Sequence, residues 1–226
     1  MSFLEVKDIN KIYEQSKTVR CQALKDVSVS IKEGEFIVIS GPSGSGKTTL
    51  LNLIGGLDTP NSGQIVFDGI DITKLKEKEL SKVRLKNMGF IFQSYNLIQV
   101  LTAMENIEYV MILQAVPKEI RREKARKIAA QLEIESLLNK RPNEMSGGQQ
   151  QRVAVARSIV AEPKLVLADE PTANLDSKTG EKLLDLMKEL NKDKKITFIF
   201  SSHDKMIIEK AGRRLVLKDG QLESDK

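Results

Sequence analysis

The 226-residue sequence is short of several things, and each shortage removes a class of function. A single cysteine, Cys21, allows neither an internal disulfide nor a cysteine-built metal site, which suits a reducing compartment. Tryptophan is absent and aromatics make up 4% of residues, so platforms for stacking nucleic-acid bases are scarce. No apolar run approaches the roughly 18 residues that a membrane span needs. The N-terminal MSFLEVKDINKIY carries acidic residues early and lacks an uninterrupted apolar core, so no secretory signal is expected there. Excess charge of one sign is also small, with 36 Lys and Arg against 31 Asp and Glu. The basic residues alternate with acids (KLKEKEL, KEIRREKARK), the pattern of solvated helix faces, and direct nucleic-acid binding is not expected. What remains, 40% hydrophobic and 30% charged, describes a globular chain able to bury a core.

Against that background one stretch stands out. Residues 36–51 run from an apolar FIVIS through GPSGSGKTT to an apolar helical start. Gly41, Gly46, Lys47 and Thr48 fit G-x-x-x-x-G-K-[ST], the phosphate-binding P-loop. Its turn folds back around a phosphate chain, and Gly41, Gly44 and Gly46 permit the backbone angles and close approach this demands. The amides of Gly41, Pro42, Ser43, Gly44, Ser45, Gly46, Lys47, Thr48 and Thr49 (proline excepted) are the candidate anion nest at a helix N-terminus. Lys47 supplies a point charge, and the Thr48 hydroxyl can sit on Mg²⁺. A Gly/Ser-rich linker is excluded by the apolar segments on both sides.

Taken in order, residues 2–9 and 24–31 alternate apolar with polar, as half-exposed strands do. Tyr13 falls in the polar KIYEQSKTVR between them, expected as a loop, where an aromatic either packs or stacks on a purine; these residues do not choose between the two. LDTPNSG is dense in turn formers and GQIVFDGIDI reads as a strand or hairpin. A charged helical stretch over 74–86 leads to MGFIFQ, a strand ending at Gln93. Residues 95–140 read as an all-helical insertion, with Ile120, Ala125, Ile128 and Leu132 near helical spacing. Ser146 is a plausible N-cap for a helix over 147–160. KLVLADEP is a strand ending in Asp169 and Glu170, a helix covers 177–191, KITFIFSSHD is a strand ending at His203, and RRLVLKDGQL closes as a hairpin. Strands alternating with helices imply right-handed crossovers and a mostly parallel sheet.

Ligands bind beyond the carboxyl ends of such strands. Strands ending in Gly41, in Asp169 and Glu170, and in His203, the chain's one histidine, are expected to meet at one edge, with Gln93 ending a fourth. Mg²⁺ wants oxygen ligands and keeps several waters, so Thr48 and Gln93 are its candidate direct ligands, with Asp169 near or behind a water. Glu170 is the natural base for an attacking water; the alternative is that it caps the turn before Pro171. His203 is a candidate contact for the terminal phosphate. A second phosphate-facing element is Ser146-Gly147-Gly148-Gln149 at a helix start, with only one P-loop in the chain to feed it. If it binds phosphate, the economical arrangement is a two-fold dimer in which each copy's SGGQ closes over the other's P-loop, with Asp176 near the seam.

GPSGSGKTT, the glutamine of IFQ, MSGGQQQR, LVLADEP, ANLD and SSHD stand in the order and rough spacing of ATP-binding cassette (ABC) ATPases, and the resemblance spans essentially the whole chain. It implies an α/β fold: a P-loop NTPase core with a mostly parallel sheet, an N-terminal antiparallel β subdomain and an inserted α-helical subdomain. One domain would fill 1–226, with 1–94 and 142–226 the core and β subdomain and 95–141 the helical subdomain. The resemblance also makes ATP and Mg²⁺ the ligands, Tyr13 the adenine-stacking aromatic, Glu170 the base and His203 the switch. SGGQ would act in trans on the partner's ATP. Partners would be a second copy and a membrane permease met through the helical subdomain, at the cytoplasmic face of the membrane. IGGLDTPNSGQIVFDG with SYNLIQVLTAMENI looks like the subgroup serving lipoprotein-releasing and macrolide- or peptide-export permeases. Met145 stands where leucine is usual before SGGQ, a near-isosteric swap, and Ala173-Asn174 departs from the commoner small-residue pairs. Two further readings use the same ATPase: one moves a membrane protein that controls a cell-wall enzyme and transports nothing, the other serves DNA repair or translation. The second expects a long coiled coil or two fused cassettes, whereas these residues carry one set of cassette motifs and no sustained heptads, and no N-K-x-D motif points to GTP.

Overall fold

The computed structural model describes residues 2–14 and 20–226. They fall into two compact units, Met1–Arg84 with Thr197–Lys226, and Leu85–Ile196.

The first unit holds an antiparallel sheet and a set of mostly parallel strands. In the antiparallel sheet, β1 (Leu4–Glu14) lies between β2 (Arg20–Ile31) and β4 (Ser62–Phe67), and β5 (Ile70–Asp71) forms a hairpin with β4. Leu4, Val6 and Ile9 are buried from one strand and Val27, Val29 and Ile31 from its neighbour. Where a loop was expected from Lys11 onward, the chain is a strand: β1 runs on through Tyr13 to Glu14, which pair with Cys21 and Arg20. Local sequence is too polar there to announce a strand, and the pairing with β2 across the chain holds it extended. Residues 15–19 of that expected loop lie outside the described residues.

The parallel set is built on β3 (Phe36–Ser40), all five of whose residues are buried, as its unbroken apolar run requires. It pairs in parallel with β8 (Thr197–Ser201) and β9 (Arg213–Lys218), and β10 (Gln221–Asp225) folds back on β9. The Phe36 ring lies 5.6 Å from that of Phe198 and 4.6 Å from that of Phe200. Helix α1 (Lys47–Ile54) buries Leu50, Leu51, Leu53 and Ile54. Helix α2 (Glu77–Asn87) buries none of its residues, as its charge pattern leads one to expect.

In the second unit β6 (Met88–Ile91) and β7 (Leu165–Asp169) pair in parallel, accompanied by α3 (Ala103–Leu113), α4 (Lys118–Gln131), α5 (Gly147–Ile159) and α6 (Ser177–Lys194). A Thr102–Glu105 capping box starts α3. Fully buried Asn106 pins the segment before it, donating to the carbonyls of Ile98, Leu101 and Thr102 and accepting from the Ile98 amide. Ala125, Ile128 and Leu132 are buried as expected, but Ile120 is 45% exposed. At 100° per residue Ile120 lies about 140° around the helix from Ala125, so the four never shared one face.

Candidate active site

In the first unit the P-loop follows directly from β3. Gly41 has φ 152°, and a methyl group there would stand 2.0 Å from the Leu217 carbonyl oxygen; at Gly46, φ 98°, it would stand 2.5 Å from that of Ala23. Glycine is required at both places by neighbouring backbone, whatever binds. The chemistry of the loop fits a phosphate chain. Pro42, Ser43, Gly44 and Thr48 are exposed, while Lys47, only 9% exposed, donates its ammonium to the carbonyls of Gly41 and Pro42, 2.9 Å each. The Ser45 hydroxyl is buried with no hydrogen-bond partner, an orphan that an incoming oxygen can satisfy.

Tyr13, 37% exposed, is held by a small clamp. Its hydroxyl donates to Asp58 Oδ2 at 2.7 Å, and Lys11 Nζ lies 4.8 Å from the ring centroid while bonding Asp58 Oδ1 at 2.6 Å and the Thr59 carbonyl at 2.8 Å. Partial burial, then Asp58, push the Tyr13 hydroxyl pKa up, with Thr49 pulling the other way. Burial opposes ionisation of Asp58, but the bonds from Lys11 and Tyr13 prevail and hold its carboxyl below the usual range. His203, exposed, stands two residues beyond β8 and ahead of Asp204, which caps α7 (Lys205–Lys210) through the Met206 amide at 2.9 Å. Because β3 and β8 are parallel neighbours, the P-loop and His203 leave the same end of this set of strands.

In the second unit, parallel β6 and β7 likewise send Gln93 and the Asp169-Glu170 pair off one end. Gln93 is exposed, and Asp169 and Glu170 are half-buried. Glu170 has φ 44°, a left-handed conformation that a non-glycine residue keeps only where its surroundings enforce it. Ser146 caps α5 as expected: its hydroxyl accepts from the Gln149 amide at 3.4 Å and Gln149 Oε1 accepts from the Ser146 amide at 3.0 Å. Ser146, Gly147, Gly148 and Gln149 line a cavity of about 480 Å³ whose other wall includes Asn174 and Asp176. Asp176 caps α6, Oδ1 accepting from the Thr179 amide at 3.0 Å and Oδ2 from its hydroxyl at 2.6 Å. Those bonds hold its carboxyl below the usual range, the hydroxyl first and the amide next. Among the described residues no group of three or more His, Cys, Asp or Glu could hold a metal, which fits an ion that takes phosphate and water oxygens and not an all-protein cage.

Four participants escaped the sequence reading. Lys11 and Asp58 meet Tyr13 through pairing of β1 with distant segments. Asn174 donates its side-chain amide to the Gln93 carbonyl at 2.8 Å. Arg157, on α5, donates to the carbonyls of Tyr95 at 2.9 Å and Asn96 at 2.5 Å. The departure at Ala173-Asn174 was the one signal available for any of these.

A P-loop on a parallel strand, an N-terminal antiparallel sheet and a glycine-rich helix start define the class of P-loop nucleotide-hydrolysing proteins. Residues 24–173 match the ABC transporter family, and the chain belongs to it as an ATP-binding, ATP-hydrolysing subunit. It is similar to the ATP-binding cassette MJ0796 of Methanocaldococcus jannaschii, solved as a dimeric post-hydrolysis state bound to ADP and Pi. The identity is 44% and the TM-score 0.92, over 99% of this chain and 97% of that one. It is 41% identical to the lipoprotein-releasing system ATP-binding protein LolD 1 of Chlorobium chlorochromatii, covering 100% of this chain and 92% of that one. With the macrolide export ATP-binding/permease protein MacB of Campylobacter jejuni it shares 46% identity over 89% of this chain and 31% of the longer protein. The subgroup resemblance read from the motifs is borne out. No helix among the described residues is long and apolar enough to cross a membrane.

Proposed function

We propose that two copies of this chain close around two ATP molecules and drive a separate membrane permease of the lipoprotein-release, macrolide-export or peptide-export kind, from the cytoplasmic face of the membrane. The observation that carries the reading is the SGGQ cavity. One chain holds one P-loop and one capped, glycine-bearing helix start opening into about 480 Å³, and a dimer uses both. The dimeric state named for the MJ0796 cassette supports it.

In this reading the amides of residues 41–49 and the Lys47 ammonium bind the phosphates, Lys47 exchanging the Gly41 and Pro42 carbonyls for phosphate oxygens. The clamped Tyr13 ring stacks on adenine, with Lys11 on its other face. Thr48, Gln93 and Asp169, the last through water, would hold Mg²⁺, which neutralises the charge that develops on the transferring phosphoryl group. Glu170 takes the proton of the attacking water, His203 contacts the terminal phosphate, and the partner's Ser146, Gly147, Gly148 and Gln149 complete the anion shell. Asp176 lies along the same seam. Segment 95–141 meets the permease: Tyr109, Ile112 and Leu113 of α3 and Val100 before it are 40–74% exposed, and Val110 of α3 lines a groove of about 190 Å³ with Met88, Phe90 and Phe92.

Ser146→Ala tests the shared pocket. Turnover is expected to fall at least tenfold, the size of a lost charge-assisted hydrogen bond to phosphate, while ATP affinity of the free monomer, measured by titration, stays at the wild-type value. Loss of binding to the monomer would place SGGQ on its own chain's nucleotide and defeat the dimer.

A further inference from the structure

Residues 92–96 form an unusual joint. Tyr95 and Asn96 both have left-handed backbone angles, φ 61° and 48°. Two consecutive non-glycine residues in that region are costly and persist only where something holds them. Arg157 holds this pair from α5, one guanidinium spanning both carbonyls. The other end is held differently: the Asn174 amide donates to the Gln93 carbonyl at 2.8 Å. Asn174 belongs to the turn that begins at Glu170, where the Ala173 amide bonds the Glu170 carbonyl at 3.2 Å, and ends at Asp176. The same turn borders the SGGQ cavity. A methyl group placed on Gly147 would lie 2.7 Å from the Tyr95 hydroxyl and 3.7 Å from the Asn174 carbonyl oxygen, so the joint, the turn and the start of α5 are packed together.

We propose that Asn174 is a positioning residue for Gln93: its side-chain amide ties the turn after Glu170 to the strand end that presents Gln93, so the carboxylate and the amide move as one piece. The proposal rests on the reading of Gln93 as a Mg²⁺ ligand. Arg157 is the fixed anchor, since it sits half-buried in the last turn of α5, and Asn174 is the adjustable one, since it is exposed and lines the SGGQ cavity together with Leu175 and Asp176. Closure on that cavity then reaches Gln93 through a single hydrogen bond. The tie lies within one copy and exists before any dimer forms. It requires a donor at 174, because the acceptor is a backbone carbonyl.

That requirement separates positioning from turn-making. Asn and Asp favour turns about equally, but a carboxylate cannot donate and faces the Gln93 carbonyl with like polarity. Asn174→Asp and Asn174→Ala are each expected to raise the Mg²⁺ concentration for half-maximal ATP hydrolysis by about three- to tenfold, the factor one net hydrogen bond carries. Affinity for ATP without Mg²⁺ is expected at the wild-type value. In the ATP-free protein, amide hydrogen exchange at residues 93–96 is expected to accelerate in both variants, which reports the tie before dimerisation. Gln93→Ala, run beside them, is expected to raise the Mg²⁺ requirement at least as much. If Gln93→Ala shifts the requirement while both Asn174 variants keep wild-type requirement and exchange, the positioning role is overturned and the Gln93 reading stands. If Asp is tolerated and only Ala is impaired, residue 174 merely shapes the turn, and the proposal falls as well. If Gln93→Ala itself leaves the requirement unchanged, the metal reading and the inference resting on it fall together.

Discussion

Replacing Glu170 with glutamine is expected to lower ATP turnover about a thousandfold, within the range that a positioned general base contributes and equivalent to about 4 kcal/mol in the barrier. Glutamine keeps the size of the side chain and most of its hydrogen bonding, so the left-handed backbone at 170, φ 44°, need not relax. What disappears is the capacity to accept a proton from water. ATP binding is therefore retained, and the closed two-copy state accumulates because the reaction that ends it is blocked; the variant with ATP elutes at twice its monomer mass. Phosphate release and size-exclusion chromatography check both halves. If the carboxylate serves only the turn before Pro171, the variant turns over ATP like wild type and stays monomeric.

Gly41→Ala has the second largest expected effect, and it acts through the fold. The new methyl group would stand 2.0 Å from the Leu217 carbonyl oxygen and 2.7 Å from Ser45 Oγ. Leu217 is fully buried in β9 and paired with Leu222 of β10, so its carbonyl cannot withdraw without opening that hairpin. A collision with fixed backbone belongs among the severe substitutions, and we expect a loss of about 3–5 kcal/mol, read as a fall of roughly 6–20 °C in Tm for a chain of this size. The P-loop shifts with it, and ATP affinity falls at least tenfold. Gly44→Ala is the control. It also has a left-handed φ, 78°, but nothing lies within 4 Å of the added group, so about 1–2 kcal/mol of backbone strain is all it pays. Equal melting temperatures for the two variants would refute the steric argument.

The parts of the site that depend on local chain chemistry were legible in the sequence. Phe36 to Ser40 could only be a buried strand, and a glycine-rich turn ahead of Lys47 could only open a helix. Ser146 with Gln149 three residues on announced the capping box that starts α5. What could not be read depends on contacts between distant segments. Tyr13 lies in a strand because β2 pairs with it, although Lys11 and Glu14 beside it favour no strand. Its clamp needs Asp58, 45 residues away, and Asn174 reaches a carbonyl 81 residues earlier. Ile120 is exposed for another reason: loosely helical spacing does not by itself put residues on one face, and the five-residue interval to Ala125 carries Ile120 away from the buried stripe.

The account stands on the claim that each catalytic pocket is completed by a second copy. Turnover per molecule at saturating ATP, followed as the purified protein is diluted over several decades of concentration, tests it most directly. The account predicts a rate per chain that falls in proportion to concentration once dilution passes the dimer's dissociation constant, and that recovers on reconcentration. A rate per chain that stays constant down to the lowest measurable concentration would contradict it.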